Sequence, residues 1–169
     1  VELMLDCAPA VEGCTNSVAC NFDEAANIEN GSCDFLSCTC PEGFDEGIPL
    51  ILTMYDSFGD GWNGADYTLT DAVGETLLTG NLDSALYILD VDNFLGGDEG
   101  FDSFCLVEGC YSLTVGGGDF DEEISWTLSG TDGDITSGTI GAVNFSLGGV
   151  VCGCVDSIAC NYNPAATSD

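Results

Sequence analysis

From Pro49 onward, apolar residues recur at every second position in short stretches separated by Gly and Asp. Leu50-Ile51-Leu52-Thr53-Met54-Tyr55 reads as a strand. Asp66-Tyr67-Thr68-Leu69-Thr70-Asp71 alternates with period two and leads into a turn at Val73-Gly74, followed by a strand over Glu75–Gly80. The same pattern predicts strands over Ala85–Val91, Asp102–Leu106, Tyr111–Val115, Ile124–Ser129, Ile135–Ile140 and Val143–Leu147. Many short strands with regular turns predict an all-β fold, an antiparallel, jelly-roll-like β-sandwich over residues 48–151. Each strand would set one face on the core and one in water, with Tyr67 and Trp126 facing inward.

Residues 7–47 read differently. They are loop-like and rich in Cys, Asn and Asp, with one helical turn expected at Asp23-Glu24-Ala25-Ala26. The segment Gly13-Cys14-Thr15-Asn16-Ser17-Val18-Ala19-Cys20-Asn21-Phe22 returns as Gly153-Cys154-Val155-Asp156-Ser157-Ile158-Ala159-Cys160-Asn161-Tyr162 at a constant offset of 140 residues. The second copy continues through Asn163-Pro164-Ala165-Ala166. A recurring motif of this kind marks a tandem array. The expected organisation is the end of a preceding unit (1–6), a disulfide-stapled connector (7–47), the sandwich (48–151) and the start of the next connector (152–169), the chain being one period of a longer array. A weaker symmetry lies inside the sandwich: Leu52-Thr53-Met54, Phe58, Tyr67-Thr68-Leu69-Thr70, Gly74 and Gly80 match Leu113-Thr114-Val115, Phe120, Trp126-Thr127-Leu128-Ser129, Gly133 and Gly138.

Charge narrows the function. The chain has no Lys, Arg or His and carries 30 Asp and Glu, for a net charge of -30. Nothing can neutralise phosphate, which excludes nucleic acid, and the same argument excludes attraction to an anionic membrane. The carboxylates need water, backbone N–H groups or metal ions as partners, and divalent cations or salt would relieve their mutual repulsion. A 45% hydrophobic content argues for a folded core beneath the charge. No signal peptide is visible, and no apolar run is long enough to insert into a bilayer. Catalysis lacks its parts: Ser and Thr have no His or Lys base, and no cation can stabilise an oxyanion, so the chain reads as a non-enzyme.

Eleven cysteines imply disulfides and an oxidising, extracellular compartment. One period contains eight of them, Cys14, Cys20, Cys33, Cys38, Cys40, Cys105, Cys110 and Cys152, enough for four bridges; Cys7, Cys154 and Cys160 belong to the neighbouring periods. Cys7 would hold the position of Cys152. Zinc is disfavoured, because Cys38-Thr39-Cys40 is too tight for a metal knuckle and no His is present. Cys105-Leu106-Val107-Glu108-Gly109-Cys110 reads as a short disulfide-closed turn, and the remaining connectivity stays open.

Hard oxygen ligands cluster in the Gly-rich loop: Asp56, Asp60, Asn63 and Asp66 are the candidate calcium ligands. Asn21, Asp23, Glu29 and Asn30 form a weaker set. Asp119, Asp121, Glu122 and Glu123 read as a solvated edge that discourages strand pairing. Trp62, in a polar loop, is the candidate exposed contact to a sugar ring. Asn30-Gly31-Ser32 and Asn144-Phe145-Ser146 fit the N-glycosylation pattern, a frequent accident.

Gly13–Cys33, ending in Asn30-Gly31-Ser32-Cys33, resembles a repeat of very large secreted surface proteins of marine and gliding Bacteroidota. Asp56-Ser57-Phe58-Gly59-Asp60-Gly61-Trp62-Asn63-Gly64 with Tyr67–Asp71, and Phe104–Thr114, are similar to further signatures of the same proteins. The resemblance implies type IX export and a role in adhesion, gliding or fibre building. Gly116-Gly117-Gly118-Asp119-Phe120 departs from the pattern by lacking the Asp-Gly-Trp-Asn-Gly loop. Asp83-Ser84-Ala85 and Asp156-Ser157-Ile158 are similar to the O-glycan acceptor of this bacterial group, making Ser84 and Ser157 candidate modification sites. The expected function is a structural or adhesive repeat of an extracellular fibre or cell-surface stalk, partnered by neighbouring copies of itself and by surface glycans. The alternative is a carbohydrate-binding module of a secreted enzyme.

Overall fold

The computed structural model describes residues 9–17, 19–35, 40, 47–82 and 97–168. The chain divides into two units, Val1–Cys38 and Thr39–Asp169. The expected strand at Ala85–Val91, residues 1–6, Cys7, Cys38 and Ser84 lie outside the described residues.

In the first unit, β1 (Glu12–Gly13) and β2 (Ile28–Glu29) pair in parallel, and Cys14 bridges to Phe22. Asp23 does not start a helix. Its carbonyl accepts the Ala26 N–H at 3.0 Å and its Oδ1 accepts the Ala25 N–H at 2.9 Å, so its side chain closes a single turn.

The second unit is an all-β sandwich of two four-stranded antiparallel sheets. Its strands are β3 (Ile48–Asp56), β4 (Asp66–Asp71), β5 (Thr76–Gly80), β6 (Glu99–Leu106), β7 (Gly109–Gly116), β8 (Ile124–Gly130), β9 (Gly133–Gly138) and β10 (Gly141–Leu147). The sheet orders are β10-β7-β4-β5 and β6-β3-β8-β9. Period two decides what is buried: along β3, Leu50, Leu52 and Met54 enter the core while Ile51, Thr53 and Tyr55 stay part-exposed. Facing residues of the other strands, among them Tyr67, Leu69, Leu113, Val115, Trp126 and Leu128, complete one apolar cluster between the sheets.

The internal sequence symmetry is a structural one. The segment β3-β4-β5-β6 maps onto β7-β8-β9-β10, and each half supplies two strands to each sheet. Met54 opposite Trp126 corresponds to Val115 opposite Tyr67, and Trp126 opposite Gly138 corresponds to Tyr67 opposite Gly80. Even the irregularities correspond: the register shifts at Leu69/Thr70 between β4 and β5 and at Leu128/Ser129 between β8 and β9. The halves interlock, so neither has a complete sheet of its own.

The second copy of the cysteine motif folds like the first, 140 residues on. Phe22 N–H to Ala19 O (3.2 Å) recurs as Tyr162 N–H to Ala159 O (3.2 Å), and Asp23 N–H to Cys14 O (2.9 Å) as Asn163 N–H to Cys154 O (2.9 Å). Ala26 N–H to Asp23 O and Asn27 N–H to Val11 O recur as Ala166 N–H to Asn163 O and Thr167 N–H to Val151 O. Among the described residues, no helix is long and apolar enough to cross a membrane.

Candidate functional sites in the acidic loops and the cysteine motif

The loop from β3 to β4 is built around Asp56 and Trp62. Asp56, 5% exposed, accepts the N–H groups of Phe58 and Gly59 on Oδ1, both at 2.7 Å. Gly59, Gly61 and Gly64 take φ of 90°, 92° and 87°, backbone that side chains resist, and the Gly97 backbone packs directly against Gly59 and Gly61. These turns fold the loop over Trp62, which is 1% exposed and donates its Nε1–H to Tyr55 O at 3.1 Å. Trp62 is therefore a core plug and not an exposed sugar contact; a polar loop sequence conceals a buried ring whose one polar atom finds a backbone partner. Tyr67 and Trp126 are buried as the alternation predicts. The exposed aromatics here are Phe58 (75%) and Phe120 (58%), at matching positions of the two half-units.

The candidate calcium ligands are only partly brought together. Asp56 and Asp60 gather with Glu123, one oxygen of each within 4.8 Å of the others. Asn63 donates its amide N–H to Asp60 Oδ1 and to Gly61 O, each at 2.8 Å. Asp66 lies outside this group and accepts from Asn81 Nδ2 at 2.9 Å. Glu123 is the member that sequence reading missed. It ends a 3-10 turn, Asp121–Glu123, in the β7–β8 loop, and the pairing of Asp56 with Ile124 brings it beside Asp56. The half-unit symmetry was the signal, since it sets the two loops against each other. Desolvation first, and then the charges of Asp56, Asp60 and Glu122, push the Glu123 carboxyl above the usual carboxylate range. Asp121 instead accepts from Gly117 and Gly118 N–H, so these residues form a loop turn and not a strand edge. Three crowded carboxylates in a chain without cations suit a hard divalent ion.

The weaker acidic set is committed to capping. Glu29 accepts Thr15 N–H at 2.8 Å, Thr15 Oγ1–H at 2.9 Å and Gly31 N–H at 2.8 Å, and these bonds, the Thr15 backbone first, hold its carboxyl below the usual range. It also lies near Cys14 and Cys33, whose sulfurs are consumed in a disulfide.

Disulfides join Cys14 to Cys33, Cys40 to Cys105 and Cys110 to Cys152, and Cys20 is also disulfide-bonded. These bridges suit an oxidising, non-cytoplasmic environment. The expected Cys105–Cys110 turn does not form. Cys105 stands opposite Pro49 of β3 and Cys110 opposite Ser146 of β10, so the β6–β7 connection crosses between sheets and carries the two sulfurs apart. Cys154 and Cys160 are free thiols, and Ser157 is exposed. No family model, curated protein or solved structure matches the chain.

Proposed function

We propose that this chain is a non-catalytic structural or adhesive repeat of an extracellular fibre or cell-surface stalk. The observation that carries this reading is the path of the disulfides. Cys40–Cys105 encloses β3 to β5 and nearly all of β6, and Cys110–Cys152 encloses nearly all of β7 to β10. A pull applied at Cys40 and Cys152 runs through two disulfides and the four residues Leu106–Gly109. Each half of the sandwich sits in its own covalent loop, off the load path. An enzyme gains nothing from this arrangement, whereas a tether gains inextensibility. The repeat of one cysteine motif on both sides of the sandwich supports the same reading. So does the acidic surface, which calcium in the external medium would screen through Asp56, Asp60 and Glu123.

Single-molecule stretching of a tandem polypeptide of this unit tests the proposal. Oxidised units should add almost no contour length, and reduced units should each add roughly 350–400 Å at about 3.5 Å per residue. Equal extension in both states would reject it. A glycan-binding module remains the second reading, favoured by a groove of ≈ 480 Å³ lined by Tyr111, Phe145, Asp71, Ser112, Asn144 and Ser146. Glycan-array binding that is lost on Asn144→Ala would support that reading.

A further inference from the structure

The boundary between the two covalent loops is also the boundary between the two half-units. Residues 48–151 contain two cysteines, Cys105 and Cys110, and their bridges run outward, to Cys40 before β3 and to Cys152 after β10. No disulfide therefore ties β3–β6 to β7–β10, and the main chain joins them through Leu106–Gly109. Leu106 and Gly109 still belong to their strands, so Val107 and Glu108 alone make the turn, and both are exposed.

The bond between the halves is non-covalent and lies at the centre of each sheet. β4 pairs with β7 and β3 with β8, and these are the inner ladders of the orders β10-β7-β4-β5 and β6-β3-β8-β9. The outer ladders lie within a half: β3 with β6 and β4 with β5, then β7 with β10 and β8 with β9. The loops bond across the halves as well, Ser57 N–H to Glu123 O at 3.0 Å and Asp119 N–H to Asn63 O at 3.1 Å. Under the half-unit correspondence, β3–β8 and β4–β7 are one contact made twice, which is the geometry of an isologous dimer carried on one chain. A half by itself has only two-stranded pairs and an uncovered apolar face, so it needs a complement.

We propose that this complement is exchangeable: the β3/β4 surface of one half and the β7/β8 surface of the other fit the opposite half of a second copy of this chain. Two copies open at Val107 and Glu108 and close reciprocally, β3–β6 of each on β7–β10 of the other. The exchanged pair regenerates every ladder, core contact and disulfide of the single unit, so no half is left without a mate and no redox step is needed. Only the turn differs, with β6 running on towards β7 instead of passing to the other sheet of its own unit. In an array, exchange ties neighbouring chains side by side; it rests on the repeat reading above and adds to it a surface that joins copies. Val107 and Glu108 decide between the two closures. Inside one copy they must carry the chain between packed sheets, which lie about 10 Å apart. Without them that turn cannot be made, and reciprocal exchange is the closure that remains.

The test uses the full oxidised chain with the free thiols of Cys154 and Cys160 alkylated. Deleting Val107 and Glu108 should double the mass measured by sedimentation, while a non-reducing denaturing gel still shows single chains. A folded monomer would overturn the proposal. Should the deletion prevent folding, a chain with a specific protease site inserted between Val107 and Glu108 decides the matter. After cutting, native mass spectrometry should find both pieces in one particle. Light and isotope-labelled cut protein, mixed, warmed through the melting transition and cooled, should form mixed light–heavy particles. Pieces that part on cutting, or that form no mixed particles, would equally overturn it. Stretching reads the disulfide path, which exchange leaves unchanged, so the exchange surface and the load-bearing repeat fail separately.

Discussion

Trp126 of β8 and Gly138 of β9 are cross-strand partners, and the indole lies so close over the glycine that a Cβ there would be 2.8 Å from Cζ2. Tyr67 and Gly80 repeat the relationship in the other sheet, where a Cβ would stand 2.7 Å from Cε1. Each half-unit therefore seats one large inward ring against a glycine on the edge strand. Gly138→Ala and Gly80→Ala should each destabilise the fold by about 1–3 kcal/mol, the usual cost of overpacking, as read from chemical denaturation. Gly80→Ala should cost the more of the two, because a Cβ there also crowds the Tyr67 hydroxyl and the Asp102 carboxylate that accepts its hydrogen bond.

Calcium should reverse the sign of one substitution. Without divalent cations Glu123 is crowded by Asp56 and Asp60, and its folded-state pKa is raised. A raised carboxyl contributes stability that is present in acid and lost as pH rises through its folded value. Glu123→Gln should then raise the melting temperature of the calcium-free protein at neutral pH and flatten its dependence on pH just above the ordinary carboxylate range. In millimolar calcium the same variant should lose most of the metal-induced rise in melting temperature. A variant neutral under both conditions would remove Glu123 from the site.

The chain has two tryptophans, Trp62 and Trp126, and both are buried and hydrogen-bonded to backbone carbonyls. Emission should be blue-shifted, and iodide should barely quench it. Trp62→Ala should cost about 3–5 kcal/mol, as for large aromatic truncations in cores, with no selective effect on glycan binding.

Replacing Cys110 and Cys152 together with Ala should cost roughly 2–4 kcal/mol in denaturant unfolding, because the bridge closes a separation of 42 residues. The Cys40 and Cys105 pair, closing 65, should cost nearly the same, since loop entropy grows only logarithmically. Only the stretching measurement distinguishes the two bridges: each releases its own half of the sandwich.

Strands were readable in the chain wherever one face meets the core, because burial imposes period two on residues such as Leu50, Leu52 and Met54. The motif that recurs after 140 residues and the half-unit match were also legible, because related segments fold alike. Trp62 was misjudged because local polarity carries no information about a ring that turns back into the core. Glu123 was overlooked and Cys105 was paired with Cys110 for a common reason. These contacts join positions far apart in the chain, and whether consecutive strands stay in one sheet or cross to the other decides them. Cys105 and Cys110 are five residues apart in sequence and lie in opposite sheets. The alternation of side chains specifies what each strand buries; which strands pair, and which cross to the other sheet, determines that Asp56 meets Glu123 and that Cys105 and Cys110 part.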